Sequence, residues 1–136
     1  MIKIFIADPH EIMRQRLKML LGCVSGLQVV GQSGNANDTV SHVREGSVDV
    51  LLLDPSLSPY GDIELVRQIR DEAPELNILI LTKSEDEQYS SRVMRAGADA
   101  HLTKTSELNH LIAAIKIVGS AGPQGSRTRM PSLSYA

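Results

Sequence analysis

Aromatic side chains are almost missing from this chain: Phe, Tyr and Trp together make up 3% of its 136 residues, and there is no Trp. The core must therefore be aliphatic, and little is available to stack the bases of single-stranded nucleic acid. Cysteine is as scarce. Cys23 stands alone, so no internal disulfide can form and a reducing compartment, the cytoplasm, is expected. Its simplest role is that of a small buried apolar side chain. Excess charge is lacking too: a net charge of −2 gives no electrostatic reason for this domain to bind DNA or a membrane surface. No apolar run approaches the ~20 residues of a membrane span. Lys3, Asp8 and Glu11 interrupt the first apolar stretch, which argues against a signal-peptide core. What remains is ordinary, 42% hydrophobic and 22% charged, and long enough for one domain with a sizeable core.

The most informative stretch runs from Val48 to Pro55. Val50 to Leu53 is apolar without alternation, as in a strand covered on both faces in the middle of a parallel sheet. The run ends in Asp54, and Pro55 removes the next ladder donor. A carboxylate thus sits at the carboxyl edge of a central strand, where open α/β sheets bind ligands.

Around it the chain alternates. Ile2 to Ala7 reads as a first strand, and Asp8-Pro9 as a helix start with an acidic N-cap and proline at the first helical position. Met13, Leu17, Leu20 and Leu21 form one apolar stripe, with Gly22 as the stop. Leu27 to Val30 is a short second strand, Gly31 to Asn35 is turn-rich, and Ala36, Val40 and Val43 repeat at helical spacing up to Gly46. After the central strand come a Ser/Pro/Gly loop over 55–61 and a third helix carrying Ile63, Val66 and Ile69. Ile78 to Leu81 is a fourth strand ending at Thr82. Ser84 and Glu87 match a capping box opening a fourth helix, which Gly97 ends. Ala100 to Leu102 is a weak fifth strand ending at Lys104. Ser106 can cap a last helix with Leu108, Leu111, Ile112, Ile115 and Val118 on one stripe and Gly119 as its stop. Five strands alternating with five helices predict a parallel sheet with right-handed crossovers and helices on both faces. Residues 1–119 form this domain. From Ser120 to Ala136 the composition turns to Ser, Gly, Pro and Arg, and reads as a flexible tail or the stump of a linker.

The strand ends carry Asp8, Asp54, Thr82 and Lys104. Singly, an Asp or Thr at a strand end is an ordinary cap for the next helix. Together, two carboxylates, a hydroxyl and an ammonium converging on one edge fit phosphoryl transfer to a carboxylate. Asp54 can act as nucleophile. A divalent cation held by Asp8 and Asp54 would offset charge on the phosphoryl oxygens, and Lys104 and Thr82 could bind those oxygens afterwards.

With these residues in hand, the chain resembles a response-regulator receiver domain, CheY-like, of the LuxR/NarL-type transcription regulator branch. The resemblance covers residues 1 to about 119. It is carried by Ile6-Ala7-Asp8-Pro9-His10-Glu11, Val29-Val30-Gly31, Leu51-Leu52-Leu53-Asp54, Leu81-Thr82 and the stretch from Arg95 to Lys104. It implies a flavodoxin-like (βα)5 sandwich with strand order 2-1-3-4-5. It also implies phosphorylation of Asp54 by a phosphohistidine on a sensor histidine kinase, and a change of the face built from the fourth helix, fifth strand and fifth helix. Thr82 and His101 fall at the family's switch pair. A Mg²⁺ site would take Asp8, Asp54 and the backbone carbonyl of Ser56. The chain departs from the pattern in three places. The family normally has two adjacent acids after the first strand; here Pro9 follows Asp8, which should weaken metal binding, and Glu11, about a helical turn on, is a poor substitute. The loop Leu57-Ser58-Pro59-Tyr60-Gly61-Asp62 displaces the usual proline and Gly/Asp pair. His101 replaces the usual Tyr or Phe, and can titrate near neutral pH.

Other readings fare worse. A degenerate receiver, keeping the fold as a phosphorylation-independent dimerisation or adaptor module, is the main alternative, with Asp54 and Lys104 frozen as an ion pair. A P-loop enzyme needs G-x-x-x-x-G-K-[ST], which is absent, and the acidic turn at Asp8 would repel a flavin phosphate. The histidines His10, His42 and His110 are scattered without metal-ligand spacing and read as surface residues. Arg127 and Arg129 are too few to argue nucleic-acid binding. DNA contact would need a separate C-terminal domain, and a homodimer through the fifth helix is the other expected association.

Overall fold

The computed structural model describes residues 1–120, so the predicted tail, with Arg127 and Arg129, lies outside the described residues. Five strands, β1 (Ile2–Ala7), β2 (Leu27–Ser33), β3 (Val50–Leu53), β4 (Asn77–Thr82) and β5 (Ala100–Thr103), alternate with helices α1 (Glu11–Gly22), α2 (Ala36–Arg44), α3 (Asp62–Glu72), α4 (Glu87–Ala96) and α5 (Leu108–Ser120). The sheet has the order β2-β1-β3-β4-β5, and its four neighbouring strand pairs are parallel. This is the expected flavodoxin-like order.

The unbroken apolar strands have a direct explanation. Successive side chains point to opposite faces, and both faces are covered. Phe5, Leu51, Leu53, Ile78 and Ile80 pack with α2, α3 and α4 on one side. Ile4, Ile6, Val50, Leu52, Leu79 and Leu81 pack with α1 and α5 on the other. The core is aliphatic apart from Phe5, whose ring lies 4.8 Å from that of His42. Cys23 contributes nothing to it: it is exposed just past the end of α1, because the stripe that faces the sheet ends at Leu21.

Several element ends differ from the sequence reading. β2 continues through the stretch read as a turn: Gly31, Gln32 and Ser33 pair with Phe5, Ile6 and Ala7, after a register shift beside Val30. A glycine is required there, since a Cβ at Gly31 would lie 2.8 Å from the Phe5 ring. Asp8 does not cap α1. The helix begins at Glu11, with His10 at the N-cap position and no side-chain cap. Ser84 does not form a capping box either; Asp86 caps α4 through Gln88 N–H. Local side-chain to backbone bonds compete in both cases, since Asp8 accepts from His10 N–H at 2.8 Å and Ser84 accepts from Asp86 N–H at 3.2 Å. α5 opens at Leu108, two residues beyond Ser106, and runs through Gly119, the glycine read as its stop, whereas α1 ends at Gly22 as expected. Pro55–Leu57 is a short 3₁₀ turn inside the predicted loop.

Candidate functional site at the carboxyl edge of the sheet

Each charged residue of the edge sits one step past its strand and is held by a continuation of the ladder. Asp54 N–H donates to Ala7 C=O at 2.9 Å, Asp8 N–H to Ser33 C=O at 3.1 Å, and Lys104 N–H to Thr82 C=O at 2.6 Å. The added length of β2 therefore matters to the site, because it supplies the Ser33 carbonyl. Arg14 ties the same corner from α1, donating to Asp8 C=O at 2.8 Å and to Gln32 Oε1 at 3.1 Å.

The side chains meet. Lys104 Nζ lies 2.6 Å from Asp8 Oδ2 and 2.7 Å from Asp54 Oδ2. Both carboxylates are buried, Asp8 at 2% and Asp54 at 5% exposure. Burial pulls the Lys104 pKa down, but the Asp54 and Asp8 carboxylates beside it prevail and hold it above the ordinary lysine value. Asp54 keeps its other oxygen on Ser56 N–H at 3.0 Å, where it caps the 3₁₀ turn. It is thus both a cap and the centre of the charged cluster. Ser56 itself is exposed at this turn, next to Asp54.

Thr82 and His101 form a second, neighbouring pair. Thr82 Oγ1 lies 3.3 Å from His101 Nε2, donates to Ser84 C=O at 3.4 Å and accepts from Ser84 N–H at 3.2 Å. It is a turn residue and a partner of His101 at once. His101 is 1% exposed, and its Nδ1 has no hydrogen-bond partner. Burial lowers its pKa, so the ring is held neutral. The Tyr89 ring from α4 stands edge-on 6.1 Å away, and its hydroxyl donates to Asp62 Oδ2 at 2.7 Å. Burial first, then Asp62 and Asp54, push the Tyr89 phenol well above its usual range.

Two parts of this edge escaped the sequence reading. Tyr89 and Asp62 link α4 to the first turn of α3 by a contact 27 residues apart, for which no local pattern exists. His10 was read as a surface residue. Its side chain is half exposed, yet Nδ1 lies 3.0 Å from Asp8 Oδ1. Among the described residues, Asp8, His10 and Asp54 form a group whose possible ligand atoms all lie within 4.8 Å of one another. The two-residue spacing Asp8-x-His10 was the available signal. Glu11, by contrast, faces away and accepts from Gln15 at 3.2 Å, so it does not replace the acid that Pro9 displaces. Two negative charges against one ammonium suit a divalent cation in principle. A surface depression of about 540 Å³ lies elsewhere, by Val48, Asp49 and Asn77 at the opposite edge of the sheet, and contains none of these groups.

A parallel sheet with two buried acids and a lysine at its carboxyl edge places the chain among the open α/β domains that gather charged groups at strand ends. The comparisons narrow it. Residues 4–116 match the family model described as the response regulator receiver domain, and the chain belongs to that family. Response regulator GacA of Pseudomonas aeruginosa is 32% identical over 118 residues, covering 87% of this chain and 55% of that protein. Response regulator UvrY of Escherichia coli is 32% identical over 120 residues, covering 88% and 55%. The chain thus spans about half the length of these relatives. Among solved structures, a LuxR-family two-component response regulator from an Aurantimonas species superposes with a TM-score of 0.81 at 28% identity, covering 89% of this chain and 86% of that one. The response regulator domain of Thermotoga maritima CheB shares the fold, with a TM-score of 0.79 at 22% identity over 90% and 98% of the two chains. Domains of this family are signalling modules and generally bind Mg²⁺ at an acidic site. No described helix is long and apolar enough to cross a membrane.

Proposed function

We propose that this chain is a phosphoryl-accepting switch of a two-component system, with Asp54 as acceptor. The supporting observation is the triad itself: a buried carboxylate held by Lys104, next to a second buried carboxylate, at the carboxyl edge of the central strand. In this reading an Asp54 carboxylate oxygen attacks the phosphorus of a phosphohistidine on a sensor histidine kinase. The P–N bond breaks, the imidazole nitrogen takes up a proton, and an acyl phosphate forms. The Lys104 ammonium moves from the carboxylate pair to the phosphoryl oxygens. The Thr82 hydroxyl leaves its turn to do the same, and His101, its partner at 3.3 Å, carries that change into β5 and the faces of α4 and α5.

A divalent ion would offset phosphoryl charge here, and Asp8, Asp54 and the Ser56 carbonyl are the residues expected to hold it. Pro9 offers no oxygen, so this reading includes Mg²⁺ binding weaker than two adjacent acids would give. The domain catalyses at most its own phosphorylation and dephosphorylation. It works in the cytoplasm, where a lone exposed thiol at Cys23 stays reduced. Phosphorylation acts on transcription through a DNA-binding domain beyond residues 1–119, and a homodimer through α5 is the accompanying association. Residues 120–136 serve as the linker.

Intact-mass spectrometry after incubation with Mg²⁺ and acetyl phosphate tests the reading. One phosphoryl adduct in the parent and none in Asp54→Asn supports it. No adduct in either protein contradicts it for small donors and favours a phosphorylation-independent adaptor.

A further inference from the structure

The depression at the amino edge of the sheet lies opposite the acid edge and shares none of its groups. Its volume is about 540 Å³, and Val43, Val48 and Leu76 give it an apolar wall. The rim is charged. Asp49, Glu72 and Glu75 stand there against a single cation, Arg44, which Glu72 already holds at 2.6 Å. Neither Asp49 nor Glu75 pairs with a side-chain cation among the described residues. α2, α3 and α5 end at Arg44, Glu72 and Ser120, so three helix carboxyl ends add partial negative charge around the same hollow. Such a rim favours a cationic occupant.

The chain carries one close at hand. Gly119 lines the depression, and residues 121–136 follow directly on α5. They include Arg127 and Arg129 and no Asp or Glu. Arg127 comes seven residues after Ser120. An unrestrained chain of that length spans about 15 Å and a fully extended one about 25 Å, enough to bring either arginine over the rim. We propose that residues 121–136 fold back onto this depression, with Arg127 and Arg129 on Asp49 and Glu75 and Met130 against the apolar wall. The guanidinium fork matches a carboxylate, and its methylene stem lies along apolar surface while the charge stays in water. Each exposed pair alone is weak, but the tether makes the contact intramolecular, at an effective concentration in the millimolar range. The segment that leaves the domain is thereby held at the edge opposite Asp54, and whatever is joined after it starts from that edge. The inference does not require phosphoryl transfer, so it stands or falls separately from the proposed function.

Nitroxide broadening of amide NMR signals tests it on the full chain, spin-labelled at Ser132→Cys in a Cys23→Ser background. The signals of Gly46, Glu75 and Leu76 are expected to lose most of their intensity. Val24 and Gly26, at the same edge but between α1 and β2, should keep theirs. This contrast should disappear in Arg127→Ala/Arg129→Ala, in Glu75→Lys, and at about 1 M salt, where exposed pairs are screened. The same spectra show that each variant is folded. Equal loss on both sides of the edge, loss centred on Asp54, or a contrast that survives removal of both arginines would overturn the proposal. So would the same broadening in a mixture of isotope-labelled chain without nitroxide and nitroxide-bearing chain without isotope, which would put the segment of a second copy there instead.

Discussion

Lys104 satisfies two buried acids with one ammonium, and this makes it the most consequential single side chain of the edge. Lys104→Met leaves two carboxylates facing each other without a counter-charge. It should cost about 3 kcal/mol at neutral pH, read by urea unfolding of the variant beside the parent. In the parent, the raised Lys104 pKa means that this contribution is complete below the ordinary lysine value and fades as pH rises through the higher folded value. His101 works with the opposite sign. Its pKa is lowered by burial, so stability is intact above the ordinary histidine value of about 6.5 and is lost as pH falls through the lower folded value. His101→Tyr should remove that acid-side slope, read as the difference between the two proteins' urea midpoints across the same pH range. At this scale the sequence was a good guide to where Asp8, Asp54 and Lys104 lie, because each closes an apolar strand and parallel order brings such ends to one edge. It misled on Cys23, whose burial depends on where a helix stripe ends, and on His10, whose partner is set by a turn rather than by helical spacing.

At the scale of elements, the turn from α4 into β5 shows what holds β5 in place. Gly97 closes α4 with φ 135°, and a Cβ there would lie 2.9 Å from Arg70 Cβ. Arg70 in turn donates to Gly97 C=O at 2.7 Å and pairs with the fully buried Asp99 at 2.9 Å. Asp99 also accepts from Ile78 N–H at 2.8 Å, fastening α3 and β4 to the same corner. Gly97→Ala should therefore destabilise by at least about 1–2 kcal/mol, from the unfavourable φ and the clash together. Asp99→Ala leaves the Arg70 guanidinium without its buried partner and should cost more, about 3–5 kcal/mol; thermal or urea unfolding ranks the two. Most strands and helices were legible from apolar runs and stripes. Their ends were not, because Asp8 and Ser84 each bond the N–H of the N-cap residue, His10 or Asp86, instead of capping the helix, and because β2 gains three pairs from Phe5 to Ala7 that no feature of 31–33 announces.

For the whole molecule, the order β2-β1-β3-β4-β5 does the assembling. It places β1 and β3 side by side, so Asp8 and Asp54 are neighbours although 46 residues separate them in the chain. The lysine that closes β5 reaches both from across β4. Parallel order also turns every strand's carboxyl end to one edge, which is why strand-end residues read as one site from the sequence alone. The contact between Tyr89 and Asp62 and the pairing of Thr82 with His101 depend on how α4 sits against that edge, and strand order alone does not specify them. In the proposed switch Asp54, and not its buried neighbour Asp8, receives the phosphoryl group. Borohydride trapping tests it most directly: an acyl phosphate formed from acetyl phosphate is reduced to homoserine, and peptide mass spectrometry reads the position. Homoserine at residue 54 alone is expected; homoserine at residue 8, or none at either position, would contradict the proposed switch.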